Sequence, residues 1–169
     1  ISPNGKRVLK SLAEELKNLS SKNLALMLPF RLNRIDVDSV AEAKNAIKND
    51  GFLSLSLDFE NGVLMALDSD KHLGISTNLK VFDTENQLAK INTILRQNDF
   101  SNYDAVIGPL MPQNLEQVAS ELKNDNIPVV SPFTLPKNLY DNVFQTRPSA
   151  DLLRNKIVDY VKTIPDINN

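Results

Sequence analysis

The side chains best able to hold a small ligand are two arginines, Arg31 and Arg147, and two hydroxyls, Ser131 and Thr134. Each arginine follows a predicted strand. An arginine at a cleft can clamp a carboxylate through two parallel N–H donors; one in a solvated loop does nothing so specific. The hydroxyls suit either a ligand or the hydrogen bonds of a turn. Asp58, Asp68 and Asp70 share a helical region, but positions two apart, such as Asp68 and Asp70, do not lie on one helix face. They read as an exposed charged face rather than an acid–base pair. His72, the one histidine, falls near a predicted helix C-terminus with no second metal-type partner, and reads as a solvated surface residue. Cysteine is absent, which removes disulfides, thiolate metal sites and a cysteine nucleophile.

Phosphate chemistry lacks its parts. The first predicted strand is followed by Pro29-Phe30-Arg31-Leu32-Asn33 instead of the G-x-G-x-x-G cradle of dinucleotide sites. Asp83 ends the second strand, where such folds carry a ribose-binding acid. Without the glycines it reads as a turn or cap residue. Neither a P-loop nor a G-x-S-x-G elbow occurs. With no nucleophile–base pair, metal set or cofactor motif, the chain reads as a non-enzymatic one.

The elements that position the candidates are ordered around Tyr103-Asp104-Ala105-Val106-Ile107-Gly108-Pro109. A short apolar run that stops at glycine is a buried central strand ending in a sharp turn, where a ligand or a second segment can approach closely. Before it, Leu24-Ala25-Leu26-Met27-Leu28 is apolar on both faces and predicts the first strand of a parallel sheet. Residues 31–51 are polar and too long for an ordinary connection. They read as a mobile insertion with a short helix over 41–48. A helix is predicted from Leu57 to a left-handed stop at Gly74, with Gly62 explained by close approach to the sheet.

Leu79 to Phe82 is the second strand, and Thr84-Glu85-Asn86-Gln87 fits a capping box for the helix carrying Leu88, Ile91, Ile94 and Leu95. Pro112 suits the first turn of the next helix, whose buried face is Leu115, Val118, Ala119 and Leu122. Ile127 to Val130 and Asn142 to Gln145 are the fourth and fifth strands. Ser149 caps a last helix, which Pro165 ends. At the other end, Val8, Leu9, Leu12, Leu16 and Leu19 predict an amphipathic lead-in helix over residues 1–22. Alternating strands and helices dictate an α/β fold: three layers, a parallel sheet with helices on both faces. Ligands of such sheets sit beyond the carboxyl ends of the strands, where strand order reverses.

The bulk properties fit one folded domain of this kind. A formal net charge of −2, with scattered basic residues, gives no footprint for nucleic acid. No apolar run approaches membrane-spanning length.

Taken in order, Asp104 to Pro109, Ile127-Pro128-Val129-Val130-Ser131-Pro132 and Val143 to Ser149 resemble the receptor-type, type 1 periplasmic ligand-binding family. The segment from Asp58 to Gly74 and Val81-Phe82-Asp83-Thr84 fit its first helix and second strand. The nearest likeness is to Bacteroidetes envelope proteins that join peptidoglycan-binding LysM repeats to such a domain, and that carry the label of amino-acid ABC transporter substrate-binding proteins.

The resemblance implies a flavodoxin-like, Rossmann-like first lobe over residues 23–148, with 149–169 opening a second lobe that is missing here. It implies a small solute held at the rim by Arg31, Leu110, Ser131, Phe133 and Arg147. It also implies a location in the periplasm or cell envelope, no cofactor, and a transport protein as partner. The last helix, lacking its usual neighbours, is expected to pack on another copy or back on the first lobe. Amino-acid binders of the family place small hydroxyl residues after the glycine-proline turn and after the fourth strand. Here Leu110 and Met111 follow the turn, and Pro132-Phe133 follow Ser131. A similar fold serves in lipoproteins that activate peptidoglycan synthases, which gives a second reading: an interaction module of peptidoglycan metabolism with a degenerate pocket.

Overall fold

The computed structural model describes residues 21–164, apart from 37, 135 and 139. The predicted lead-in helix and Pro165 lie outside the described residues. Five strands form one parallel sheet: β1 (Lys22–Leu28), β2 (Thr77–Asp83), β3 (Ala105–Ile107), β4 (Val129–Ser131) and β5 (Val143–Gln145). Their spatial order is β2-β1-β3-β4-β5, so the winding reverses between β1 and β3. The register sets Leu26 against Val81 on one side and Ile107 on the other.

The pleat of β1 explains the layers. Ala25 and Met27 point into a core with Val106, Val129 and the helices α3 (Leu88–Gln97) and α4 (Pro112–Leu122), through Ile91, Ile94, Leu115 and Val118. Leu26 and Leu28 point the other way, to a second core with Phe30, Leu110 and Leu53. That face is covered by α1 (Val40–Asn49) and α2 (Gly51–His72), through Ala46, Leu57, Phe59 and Val63. A strand buried on both faces must be apolar at every position. The expected three-layer α/β architecture is what the structure has.

Several local expectations change. Helix α2 begins six residues before Leu57, because Asp50 caps it by accepting from the Phe52 and Leu53 N–H groups. Its end is as expected: Gly74 has φ +80°, and the Ile75 and Gly74 N–H groups close onto the Asp70 and Lys71 carbonyls. Gly62 does not approach the sheet; a Cβ there would meet nothing within 4 Å. The capping box fails as well. Gln87 is the N-cap of α3 and no side chain caps it, while Thr84 turns inward and is buried.

Pro112 does open α4, and the Ser149 hydroxyl accepts from the Leu152 N–H to cap α5 (Ala150–Lys162). Helix α5 does not fold back on the lobe: every residue from Ala150 to Ile164 is exposed, Leu152, Ile157 and Tyr160 among them.

Candidate functional site

The carboxyl ends of β1, β3, β4 and β5 bring all five sequence-predicted residues to one edge of the sheet. Between the two central ends, Gly108 has φ +86°, and a Cβ on it would run into the Met27 carbonyl oxygen. Only glycine lets β3 turn here while hugging β1. The turn drops Leu110 into the second core, where it is buried beside Leu26, Leu28, Phe30 and Leu53. Leu110 is therefore the floor of the rim, and Met111 is the residue that emerges from it.

On the β1 side, Arg31 adopts a left-handed conformation (φ 59°). Its backbone N–H and that of Leu32 donate to the two carboxylate oxygens of Asp83, at 3.0 and 2.9 Å, and the Glu85 N–H adds a third bond at 2.8 Å. Asp83 thus closes the end of β2 onto the turn after β1. The turn role expected of it holds, and its acceptors are spent inside the protein.

The Arg31 guanidinium lies 4.5 Å over the Phe52 ring and 3.5 Å from the Asp50 carboxylate. Its Nε is buried without a partner. Burial opposes the charge on Asp50, but the N–H donors of Leu53 and Phe52 and the nearby guanidinium outweigh it and hold the carboxyl below its ordinary range. Arg31 is held by its own surroundings, packed against α2.

On the β4 side a mesh of hydrogen bonds fixes the loop that carries Phe133. The Ser131 hydroxyl is buried and donates to the Thr134 carbonyl at 2.6 Å. Thr146 donates its hydroxyl to the Pro132 carbonyl at 2.7 Å and its N–H to the Ser131 carbonyl at 3.1 Å. Arg147 donates from Nη1 to the Phe133 carbonyl at 3.2 Å. Farther along, Glu116 of α4 accepts from the Lys137 and Asn138 N–H groups, and those bonds hold its carboxyl below the ordinary range. Phe133 packs edge-to-face on Phe59 of α2, with ring centroids 5.2 Å apart, and keeps 37 % of its surface exposed.

Sequence reasoning missed three supports of this edge: Asp50, Phe59 and Thr146. Asp50 carried a local signal, since an aspartate before Gly-Phe-Leu is a sound N-cap. Phe59 and Thr146 carried none, because their partners are distant in sequence.

A surface hollow of about 790 Å³ lies elsewhere, on the flank between α3 and α4 and toward the amino ends of the strands. No group of three or more metal-ligating side chains occurs among the described residues.

No family model and no curated protein matches the sequence. Solved structures do. An ABC transporter substrate-binding protein from Desulfitobacterium hafniense, in complex with Leu, superposes with a TM-score of 0.55 at 18% identity, over 83% of this chain and 38% of its own. A leucine binding protein from Thermotoga maritima gives 0.57 at 15%, over 84% and 37%. A branched-chain amino acid transporter substrate binding protein from Streptococcus pneumoniae, in complex with isoleucine, gives 0.54 at 13%, over 74% and 33%.

The described residues share the fold of a lobe of these substrate-binding proteins, a five-stranded parallel sheet with helices on both faces. The chain spans less than two fifths of the length of the proteins it superposes on. Its strand order and its glycine-marked reversal between β1 and β3 are the features that set where such a lobe presents its edge.

Proposed function

We propose that the chain is the first lobe of a non-enzymatic, two-lobed solute-binding protein of a bacterial envelope, with residues 149–169 leading into the second lobe. The observation that carries this reading is the convergence of the β1, β3, β4 and β5 ends on one open edge at the reversal of strand order. The superposable proteins, whose names record leucine and isoleucine as bound molecules, support a small amino acid or related solute as the ligand class. In this reading Phe133 meets the solute, Leu110 is the floor beneath it, and Ser131, Arg31 and Arg147 shape the flanks. A place beside LysM repeats in the periplasm or cell envelope, and a transport component as partner, belong to the same proposal.

A second reading is favoured by one observation. The Ser131 hydroxyl is committed to the Thr134 carbonyl, and Leu110 is buried, so neither position offers a free hydroxyl. An interaction module of peptidoglycan metabolism, working through contacts with a protein or as a dimer through α5, would need none.

Thermal unfolding of the full two-lobed protein against a panel of amino acids and cell-wall fragments separates the two. A ligand at a hundredfold excess over Kd adds about 2.7 kcal/mol of stability. Solute binding predicts a rise in melting temperature for one class of the panel; a pure interaction module predicts none.

A further inference from the structure

A smaller hollow, about 400 Å³, lies at the opposite edge of the sheet, where the amino ends of β4 and β5 meet the end of α4. Six residues line it: Lys123, Asn124 and Asn126 from the turn after α4, and Tyr140, Asp141 and Asn142 from the turn before β5. Its size falls within the range of about 300–1,000 Å³ usual for small-molecule sites.

The two walls are fixed in place. Asn126 takes the left-handed conformation (φ 55°) that closes the turn after α4, and its N–H donates to the Lys123 carbonyl at 3.0 Å. The buried Asn142 amide donates to the Ala119 carbonyl at 3.2 Å and to the Ile127 carbonyl at 3.0 Å, tying the β5 turn to α4 and to the start of β4. Tyr140 packs against the core, and its carbonyl accepts from the Val143 N–H at 2.9 Å. Walls held in this way need little ordering when a ligand enters.

The chemistry of the lining selects the ligand. One ammonium, Lys123, and one carboxylate, Asp141, cancel, so the hollow favours an ion of neither sign. Among the described residues, the exposed side chains of Asn124, Asn126 and Asp141 form no hydrogen bond. An amide donates and accepts in one plane. That suits neighbouring hydroxyls, each of which also does both. The Lys123 ammonium lies 5.8 Å from the Tyr140 ring centroid, near the outer limit of a cation–π contact. It can leave the ring to an apolar C–H face and donate to the ligand instead.

We infer that this hollow is a saccharide site. It takes a neutral pyranose, with the hydroxyls on Asn124, Asn126 and Asp141 and a C–H face on Tyr140. The site is independent of the solute-binding function proposed for the carboxyl-terminal edge.

The test titrates the ¹⁵N-labelled full protein with methyl glucoside, methyl galactoside and N-acetylglucosamine, and with glucuronate and glucosamine as charged comparators. A hexose has about twelve heavy atoms, and at the ligand efficiency of ordinary small molecules its Kd is about 2 mM. Saturable shifts of the Asn124 and Asn126 side-chain amides are expected with a neutral sugar, which binds more tightly than either comparator, while Gly108 and Phe133 stay unmoved. Asn126→Gly keeps the left-handed turn and removes the amide; it should weaken the sugar about fivefold, the worth of one hydrogen bond, at an unchanged melting temperature. Asp141→Asn leaves Lys123 uncompensated and should shift the preference toward glucuronate. Lys123→Met should shift it toward glucosamine.

The inference is overturned by the absence of saturable shifts at these residues with every neutral sugar, by tighter binding of a charged comparator to the wild type, or by undiminished binding in Asn126→Gly. A sugar that moves Gly108 and Phe133 instead belongs to the carboxyl-terminal edge, and overturns it as well.

Discussion

Replacing Gly108 by alanine should be among the most damaging single-methyl changes in the lobe. Two costs add. Alanine at φ +86° leaves the region open to L side chains, at about 1–2 kcal/mol. Its Cβ would also collide with the Met27 carbonyl, which is backbone in the middle of a buried strand and cannot swing aside. Relief requires β3 to move off β1, and that strains the Gly108 N–H bond to the Val130 carbonyl, 2.8 Å long, worth about 1 kcal/mol net. The sum is about 2–3 kcal/mol, a large share of the 5–15 kcal/mol of a typical domain. Denaturant unfolding of the wild type and Gly108→Ala, at equal m-values, measures it. A loss below about 1 kcal/mol would refute the reasoning, since the left-handed strain alone reaches that size.

Four further expectations follow from named contacts. Gly62→Ala, where a Cβ meets open space in mid-helix, should stabilise by about 0.5–1 kcal/mol in the same assay, the opposite sign to Gly108→Ala. The Asn142 amide, buried, donates to the Ala119 and Ile127 carbonyls; Asn142→Asp should destabilise by more than Asn142→Ala, because a carboxylate would face the same two oxygens. The Asn23 N–H and the Lys22 ammonium hold the Asp104 carboxyl below its ordinary value of 3.8. A lowered folded value means its contribution is fully present above 3.8 and is lost as pH falls through the folded value. The melting-temperature gap between wild type and Asp104→Asn should therefore close on acidification below pH 4. Ser149→Ala removes the cap of α5 and should lower amide-exchange protection in its first turn by about 1 kcal/mol, with the sheet unaffected.

The sheet was legible because burial on two faces leaves an unmistakable mark: β1 is apolar at every position from Leu24 to Leu28, and β3 stops at the one residue that can make its turn. Helix ends were legible where one residue does the work, as at Pro112, Ser149 and Gly74. They were misread where two signals competed. Thr84 through Gln87 has the letters of a capping box, but burial of Thr84 and left-handed Glu85 and Asn86 make it a tight turn onto β1 instead. Gly51 resembled a loop residue, and Asp50 overrode it.

The candidate site divides the same way. The five positions were legible from strand ends, which topology alone places on one edge. What each side chain does there was not. Asp83 meets Arg31 across 52 residues and Phe133 meets Phe59 of α2 from a loop far along the chain, and such partners depend on register and layer, which local patterns do not encode.

In the proposed function the carboxyl-terminal edge of the sheet is where the solute is met. Backbone amide shifts in the labelled full protein, titrated with whichever solute of the panel raises the melting temperature, test it most directly. Saturable shifts concentrated at Arg31, Gly108, Leu110, Met111, Phe133 and Arg147 are expected. Shifts concentrated at Asn23, Asn78 and Asn102, at the amino ends of the strands, or along the flank between α3 and α4, would contradict it.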